Sequence, residues 1–186
     1  DRRQPESFSC VYARVSDGSS RKKEFCHMDK LRVALIGCGA GHAESSHLPP
    51  LQQLEQVSLE ALCDLKEESL HAAMATYGVE RGFSDFRRMI DEGELDAVFA
   101  IIRHSNLKEV VIPCFGKGLA GSVEKTPGVD ASETSAMSDA AERNQCLNMV
   151  GFNRRFSPVV QRARETVPEN ARRLVTGTFY RSYAFP

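Results

Sequence analysis

The sequence predicts a doubly wound α/β domain on a parallel sheet, and three observations carry the prediction. Strand-like and helix-like segments alternate along most of the chain, the order that a parallel sheet with right-handed crossovers requires. Leu31–Ile36 is an apolar strand that runs straight into a glycine turn, Gly37-Cys38-Gly39-Ala40-Gly41. Leu95–Ile102 is a continuous apolar run, as expected of a strand covered by helices on both faces.

Each element has its own reason. After the glycine turn a helix is expected to run to about Leu54, and Val57–Cys63 forms the second strand, ending at Asp64. Glu67–Tyr77 has helical periodicity and stops at Gly78, a natural C′ residue. Ser84-Asp85 supplies an N-cap for a short helix carrying Phe86, Met89 and Ile90 and closing at Gly93. Beyond the Leu95–Ile102 strand, Asn106–Phe115 reads as helix, Leu119–Val123 as strand, Ala131–Arg143 as helix and Leu147–Phe152 as the last strand.

Both ends depart from this rhythm. Residues 1–29 are polar, with Asp17-Gly18-Ser19-Ser20 and no apolar period, so they read as a disordered N-terminal extension. Arg2-Arg3 is followed by no apolar stretch of the kind an export signal needs. Residues 30–153 form the α/β domain. Residues 154–186 hold a helical piece, Pro158–Thr166, and a strand pattern over Arg172–Ser182 with Leu174, Thr176, Thr178 and Tyr180 alternating. One strand makes no sheet by itself, so 154–186 is expected to open a second, incomplete α+β domain. Its unpaired edge invites association, including homo-oligomerisation.

Composition narrows the function classes. Of 186 residues 41% are hydrophobic and the formal net charge is −1, the profile of an ordinary globular protein. The single basic run, Arg21-Lys22-Lys23, is too short to suggest nucleic acid. No apolar run is long enough for a bilayer, so neither nucleic acid nor membrane is expected as a partner. The six cysteines are scattered with no C-x-x-C pair. That spacing argues against a disulfide or metal framework and for a reducing, cytoplasmic setting.

The glycine turn is where chemistry enters. Glycine lets the backbone adopt conformations a Cβ forbids and lets a phosphate come close. A helix N-terminus just beyond adds partial positive charge and free N–H donors. Together these suit an anionic cofactor, most often a dinucleotide. Gly37-Cys38-Gly39-Ala40-Gly41 fits G-x-G-x-G, and the third slot of G-x-G-x-x-G holds His42. A tight turn without ligand is the plain alternative. An S-adenosylmethionine methyltransferase is another, although the acidic residue usual before such a turn is replaced by Leu35.

Asp64, at the end of the second strand, can accept both hydroxyls of an adenosine ribose. Two like charges about 4 Å apart repel by roughly 4 kcal/mol at an effective dielectric near 20, so Asp64 disfavours a 2′-phosphate. NAD is therefore expected over NADP, with Lys66 nearby as a partial counterweight. Glu124-Lys125-Thr126-Pro127 follows a strand and so lies at the carboxyl edge of the sheet, where open α/β folds bind ligands. A lysine there can hydrogen-bond a substrate hydroxyl or help to move its proton.

From Leu31 to about Ser182 the chain resembles the Gfo/Idh/MocA family (glucose-fructose oxidoreductase, inositol dehydrogenase, rhizopine catabolism). The likeness rests on Val33-Ala-Leu-Ile-Gly-Cys-Gly39, Ala61-Leu-Cys-Asp64, Glu124-Lys125 with Pro127, and Met149-Val-Gly-Phe-Asn-Arg-Arg-Phe-Ser-Pro158. Phe83–Ile90 and Leu95-Asp-Ala-Val-Phe99 add to it. The resemblance implies an NAD(P)-binding Rossmann domain followed by an α+β domain with an open sheet. It implies hydride transfer at a hydroxyl-bearing carbon of a small molecule such as a sugar or cyclitol. It further implies that Gly37, Gly39 and Gly41 cradle the pyrophosphate and that Asp64 holds the adenosine ribose. Glu124 would approach the nicotinamide ribose, Lys125 would be the catalytic lysine, and Asn153 and Arg154 would line the domain junction. No metal is implied.

Several positions depart from that pattern. His42 replaces a small residue, and His47 comes as though two residues had been inserted. Ile102-Arg-His-Ser-Asn-Leu-Lys108 stands where Thr-Pro-x-x-x-His is usual, and Thr126 separates Lys125 from Pro127. These changes fall on the nicotinamide side. They keep open a second reading, a non-catalytic nucleotide-sensing protein of the same fold.

Overall fold

The computed structural model describes residues 30–167. The N-terminal extension and the Arg172–Ser182 strand read from sequence lie outside the described residues. Among the described residues six strands form one sheet: β1 (Leu31–Ile36), β2 (Val57–Cys63), β3 (Arg81–Phe83), β4 (Ala97–Ala100), β5 (Ala120–Val123) and β6 (Asn148–Val150). All neighbours are parallel, in the order β3-β2-β1-β4-β5-β6. That is the doubly wound dinucleotide-fold order, with its topological switch between β1 and β4. Five of the six strands match segments read from sequence. β3 is the addition: three residues paired through Ala61–Cys63 are too few to show a period.

Among the described residues there are six α-helices: α1 (Leu48–Gln53), α2 (Glu67–Tyr77), α3 (Phe86–Glu92), α4 (His104–Gly116), α5 (Ala131–Arg143) and α6 (Pro158–Thr166), of which the first five bury residues in the core and α6 buries none. Their ends follow local chemistry. Gly78 closes α2 in the left-handed conformation at φ 65°, which glycine adopts without a Cβ penalty. Asp85 caps α3 by accepting from the Arg87 N–H at 2.8 Å. Asp130 caps α5 through the Glu133 N–H at 2.9 Å, while the Glu133 carboxylate returns to the Val129 N–H at 3.0 Å.

The pleat of β1 splits the core. Val33 and Leu35 point to one face and pack with Leu48, Leu51, Leu62 and Leu70. Ala34 and Ile36 point to the other and pack with Met89, Ile90, Val98 and Val110. Leu35, Leu48 and Leu62 are fully buried, each worth about 1.5–3 kcal/mol over its exposed state. A third cluster joins α4 and α5 over the far end of the sheet through Leu107, Val111, Phe115, Met137 and Ala140.

The helix expected after the glycine turn differs from its prediction. Ala43–His47 is a π-helical segment, in which the Leu48 N–H bonds back to the Ala43 carbonyl, and α1 starts afresh after it. Pro49 and Pro50 explain the restart: they have no N–H for an α-type ladder, and a helix's first turn is where the missing donor costs least. The extra residues ahead of them are taken up as a π turn. The last strand is also shorter than its apolar pattern, because Asn153–Phe156 coils into a 3-10 turn.

Candidate functional site

The chain leaves β1 at Gly37, at the switch between β1 and β4. Gly37 has φ 89°, and a Cβ there would sit 2.4 Å from the Ile101 carbonyl oxygen. Only glycine fits. Its N–H donates to the Cys63 carbonyl at 2.8 Å, binding the turn to the end of β2. Two residues on, the Gly39 N–H donates to Asp64 Oδ2 at 2.8 Å. A Cβ on Gly39 would meet the Ser69 Cβ at 2.5 Å, so this glycine allows α2 to close on the turn.

Asp64 is fixed at both oxygens, because its Oδ1 accepts from the Lys66 N–H at 2.9 Å. Each carboxylate oxygen has a second lone pair. A group held in this way can therefore take two further donors without moving.

These residues face a cavity of about 760 Å³, within the usual size range of small-molecule sites. Gly37, Gly39 and Asp64 form one wall, Ser84-Asp85-Phe86 another, and Arg103 and Asn106 a third. Arg103 precedes α4, and no side chain caps that helix. Its first N–H groups are left as donors toward the same edge of the sheet. Leu65, 86% exposed, offers an apolar surface at the rim. Leu65 is not singled out from sequence, and Arg103 and Asn106 enter there only as part of the Ile102–Lys108 departure. Their signal was positional only, a loop beyond a strand's carboxyl end.

The other predicted residues lie apart from this cavity. Gly41 is exposed, and a Cβ on it would meet nothing within 4 Å. Glu124 directly follows β5 and faces the π segment: its Oε1 lies 3.3 Å from Nε2 of both His42 and His47. The two imidazoles meet edge to face with centroids 5.1 Å apart. Burial holds the His47 imidazole below its ordinary pKa, against the pull of the Glu124 carboxylate and with help from His42. Lys125 is exposed, and its peptide bond to Thr126 is cis. Asn153 and Arg154 are exposed in the 3-10 turn beyond β6, whose Gly151 N–H donates to the Val123 carbonyl at 2.8 Å.

Three cysteines of the described residues are buried in the core. Burial pushes the thiols of Cys38, Cys63 and Cys114 up to about 12, so none is a thiolate near neutral pH. Among the described residues no helix is long and apolar enough to cross a membrane.

Comparison with known proteins agrees with the fold. Residues 31–152 match the family model described as an oxidoreductase family with an NAD-binding Rossmann fold. D-apiose dehydrogenase of Paraburkholderia graminis is 30% identical over 132 residues, 71% of this chain and 35% of that protein. Myo-inositol 2-dehydrogenase of Thermotoga maritima is 25% identical over 137 residues, 74% of this chain and 40% of that protein. The crystal structure of myo-inositol 2-dehydrogenase from Lactobacillus plantarum superposes with a TM-score of 0.69 at 28% identity, covering 74% of this chain and 40% of that one. The chain thus spans 35–40% of the length of these relatives.

Proposed function

This chain belongs to the Gfo/Idh/MocA oxidoreductase family and carries its NAD-binding Rossmann domain, and from that premise we propose that it supplies the cofactor half of a dehydrogenase acting on a sugar, cyclitol or similar polyol. The observation that carries the proposal is the switch-point cavity with Gly37, Gly39 and a doubly anchored Asp64 in one wall. It fits a dinucleotide in shape and in donor chemistry.

In this reading the Gly37–Gly39 turn lets a pyrophosphate approach the backbone, and the uncapped start of α4 offers N–H donors and a favourable dipole to an anion. Asp64 accepts the adenosine ribose hydroxyls and disfavours a 2′-phosphate, so NAD is the cofactor rather than NADP. Leu65 covers an adenine face, and Glu124 receives the nicotinamide ribose. When bound, the nicotinamide supplies hydride acceptance and donation. Lys125 orients the substrate hydroxyl and eases loss of its proton, and this positioning is what such a fold chiefly contributes. The named substrates of the relatives, myo-inositol and D-apiose, support a polyhydroxylated substrate class.

Calorimetric titration of the chain with NAD, NADP and S-adenosylmethionine tests the reading. NAD binding that weakens at least tenfold in Asp64→Ala is expected, and equal affinity in wild type and variant overturns it. One observation favours a second reading, a nucleotide sensor without turnover: Glu124 is already turned to two imidazoles. NAD binding with no NADH formed across a panel of polyols would favour the sensor.

A further inference from the structure

His42, His47 and Glu124 converge for a reason that lies in the chain. On an α-helix residues five apart sit about 140° from each other around the axis. A π turn, whose hydrogen bonds close i to i+5, brings them back to one face. The π segment Ala43–His47, with His42 just before it, thus aims both rings at the end of β5. Their Nε2 atoms each lie 3.3 Å from the same carboxylate oxygen. One donor atom from each of the three residues falls within 4.8 Å of the others.

That arrangement is close to a coordination sphere. Zinc bonds to nitrogen and oxygen at about 2.0–2.1 Å set tetrahedral donors roughly 3.3 Å apart. The widest pair must close by on the order of 1 Å, and the His42 side chain, 50% exposed, is free to do so. Charge argues the same way. The Glu124 side chain is only 13% exposed, and among the described residues no lysine or arginine pairs with it. A carboxylate so largely withdrawn from water is stabilised by a positive charge beside it. Its other oxygen accepts from the Lys125 N–H at 3.2 Å, which orients the carboxylate toward the two rings. Two imidazoles and one carboxylate select a borderline transition metal over magnesium or calcium.

We infer that His42, His47 and Glu124 form a binding site for a divalent transition-metal ion of the zinc class, with a coordination position left open to water. The site itself does not depend on the dinucleotide reading. Its consequence does: Glu124 cannot serve a metal and a nicotinamide ribose together, so ion and NAD compete.

The test is titration of metal-free chain with Co²⁺, read by visible absorption, and with Zn²⁺ against a chromophoric chelator. One ion per chain is expected, with affinity at least tenfold weaker in His42→Ala and at least a hundredfold weaker in His42→Ala/His47→Ala. Circular dichroism confirms that the variants fold, and the half-exposed His42 is the safer substitution. Absence of cobalt binding overturns the site, as does a His42→Ala chain that binds like wild type. Repeating the titration with NAD separates the two readings. Metal binding in a chain that takes no NAD upholds the site and sinks the dinucleotide reading, whereas NAD binding in a chain that takes no cobalt does the reverse.

Discussion

At the carboxyl ends of β1 and β2 main-chain donors hold both oxygens of the carboxylate, whereas at the end of β5 one carboxylate oxygen meets only side chains. The Gly37 N–H is tied to Cys63 and both oxygens of Asp64 are tied to main-chain donors. These ties are part of the sheet and its turns, so they persist as long as the domain is folded. Glu124 instead meets two rings, one of them half exposed. Such contacts can be exchanged for a ribose, an ion or a proton at small cost. The difference separates a preorganised binding half from a half whose occupant decides its state.

The glycines offer the largest test of that contrast. Gly37→Ala forces a Cβ to 2.4 Å from the Ile101 carbonyl oxygen at φ 89° and should cost about 3 kcal/mol or more. Gly41→Ala, with open space around it, should change stability by less than about 0.5 kcal/mol. Urea unfolding of the two variants gives the comparison directly; similar midpoints would show that the first turn is not locked by its backbone.

Ligand binding provides the next. Hydrogen bonds to a charged group are worth about 1.5–3 kcal/mol, so Asp64→Ala should weaken NAD roughly 10- to 100-fold. Lys125→Ala, exposed and outside the cavity, should leave NAD affinity within about twofold. If Lys125→Ala weakens NAD as much as Asp64→Ala, binding is not concentrated in the β1–β2 half.

The same division decides what could be read from sequence. Strands buried on both faces, the turn at Gly37 and the caps at Gly78 and Asp85 are local signals, and each appears as expected. The third strand escaped because it is an edge of three residues whose place is set by pairing with β2. The π segment escaped because it answers to two prolines downstream rather than to its own propensities. Gly37, Gly39 and Asp64 could be grouped because fold order alone brings strand ends together. The grouping of His42 with His47 and Glu124 needed the π geometry, which the apolar pattern does not encode.

Thiol reactivity sharpens the contrast at finer scale. Cys38 and Cys63 lie under the Gly37 turn and are buried, with pKa values pushed up to about 12. Cys146, beyond α5 and near the β6 edge, is half-buried, and burial raises its pKa as well. In native chain at pH 8, alkylation followed by peptide mapping should modify Cys146 well before Cys38 or Cys63. Equal rates would mean that the β1–β2 half opens as readily as the β5–β6 half.

The smallest effect concerns protons. His47 faces His42 and Glu124, and its burial outweighs the carboxylate, so the folded-state pKa lies below the ordinary 6.5. The unfolded chain then binds the proton more readily than the native one. Stability contributed by this residue is fully present above about pH 6.5 and is lost as pH falls through the lower folded value. In metal-free buffer the wild type should lose more stability between pH 7.5 and pH 5.5 than His47→Gln does, by a fraction of the total change. Urea midpoints at the two pH values measure it. A wild type that becomes relatively more stable on acidification would mean that Glu124 outweighs burial and that the imidazolium is the native form. The end of β5 would then carry its own counter-charge, and the electrostatic argument for a metal ion there would weaken with it.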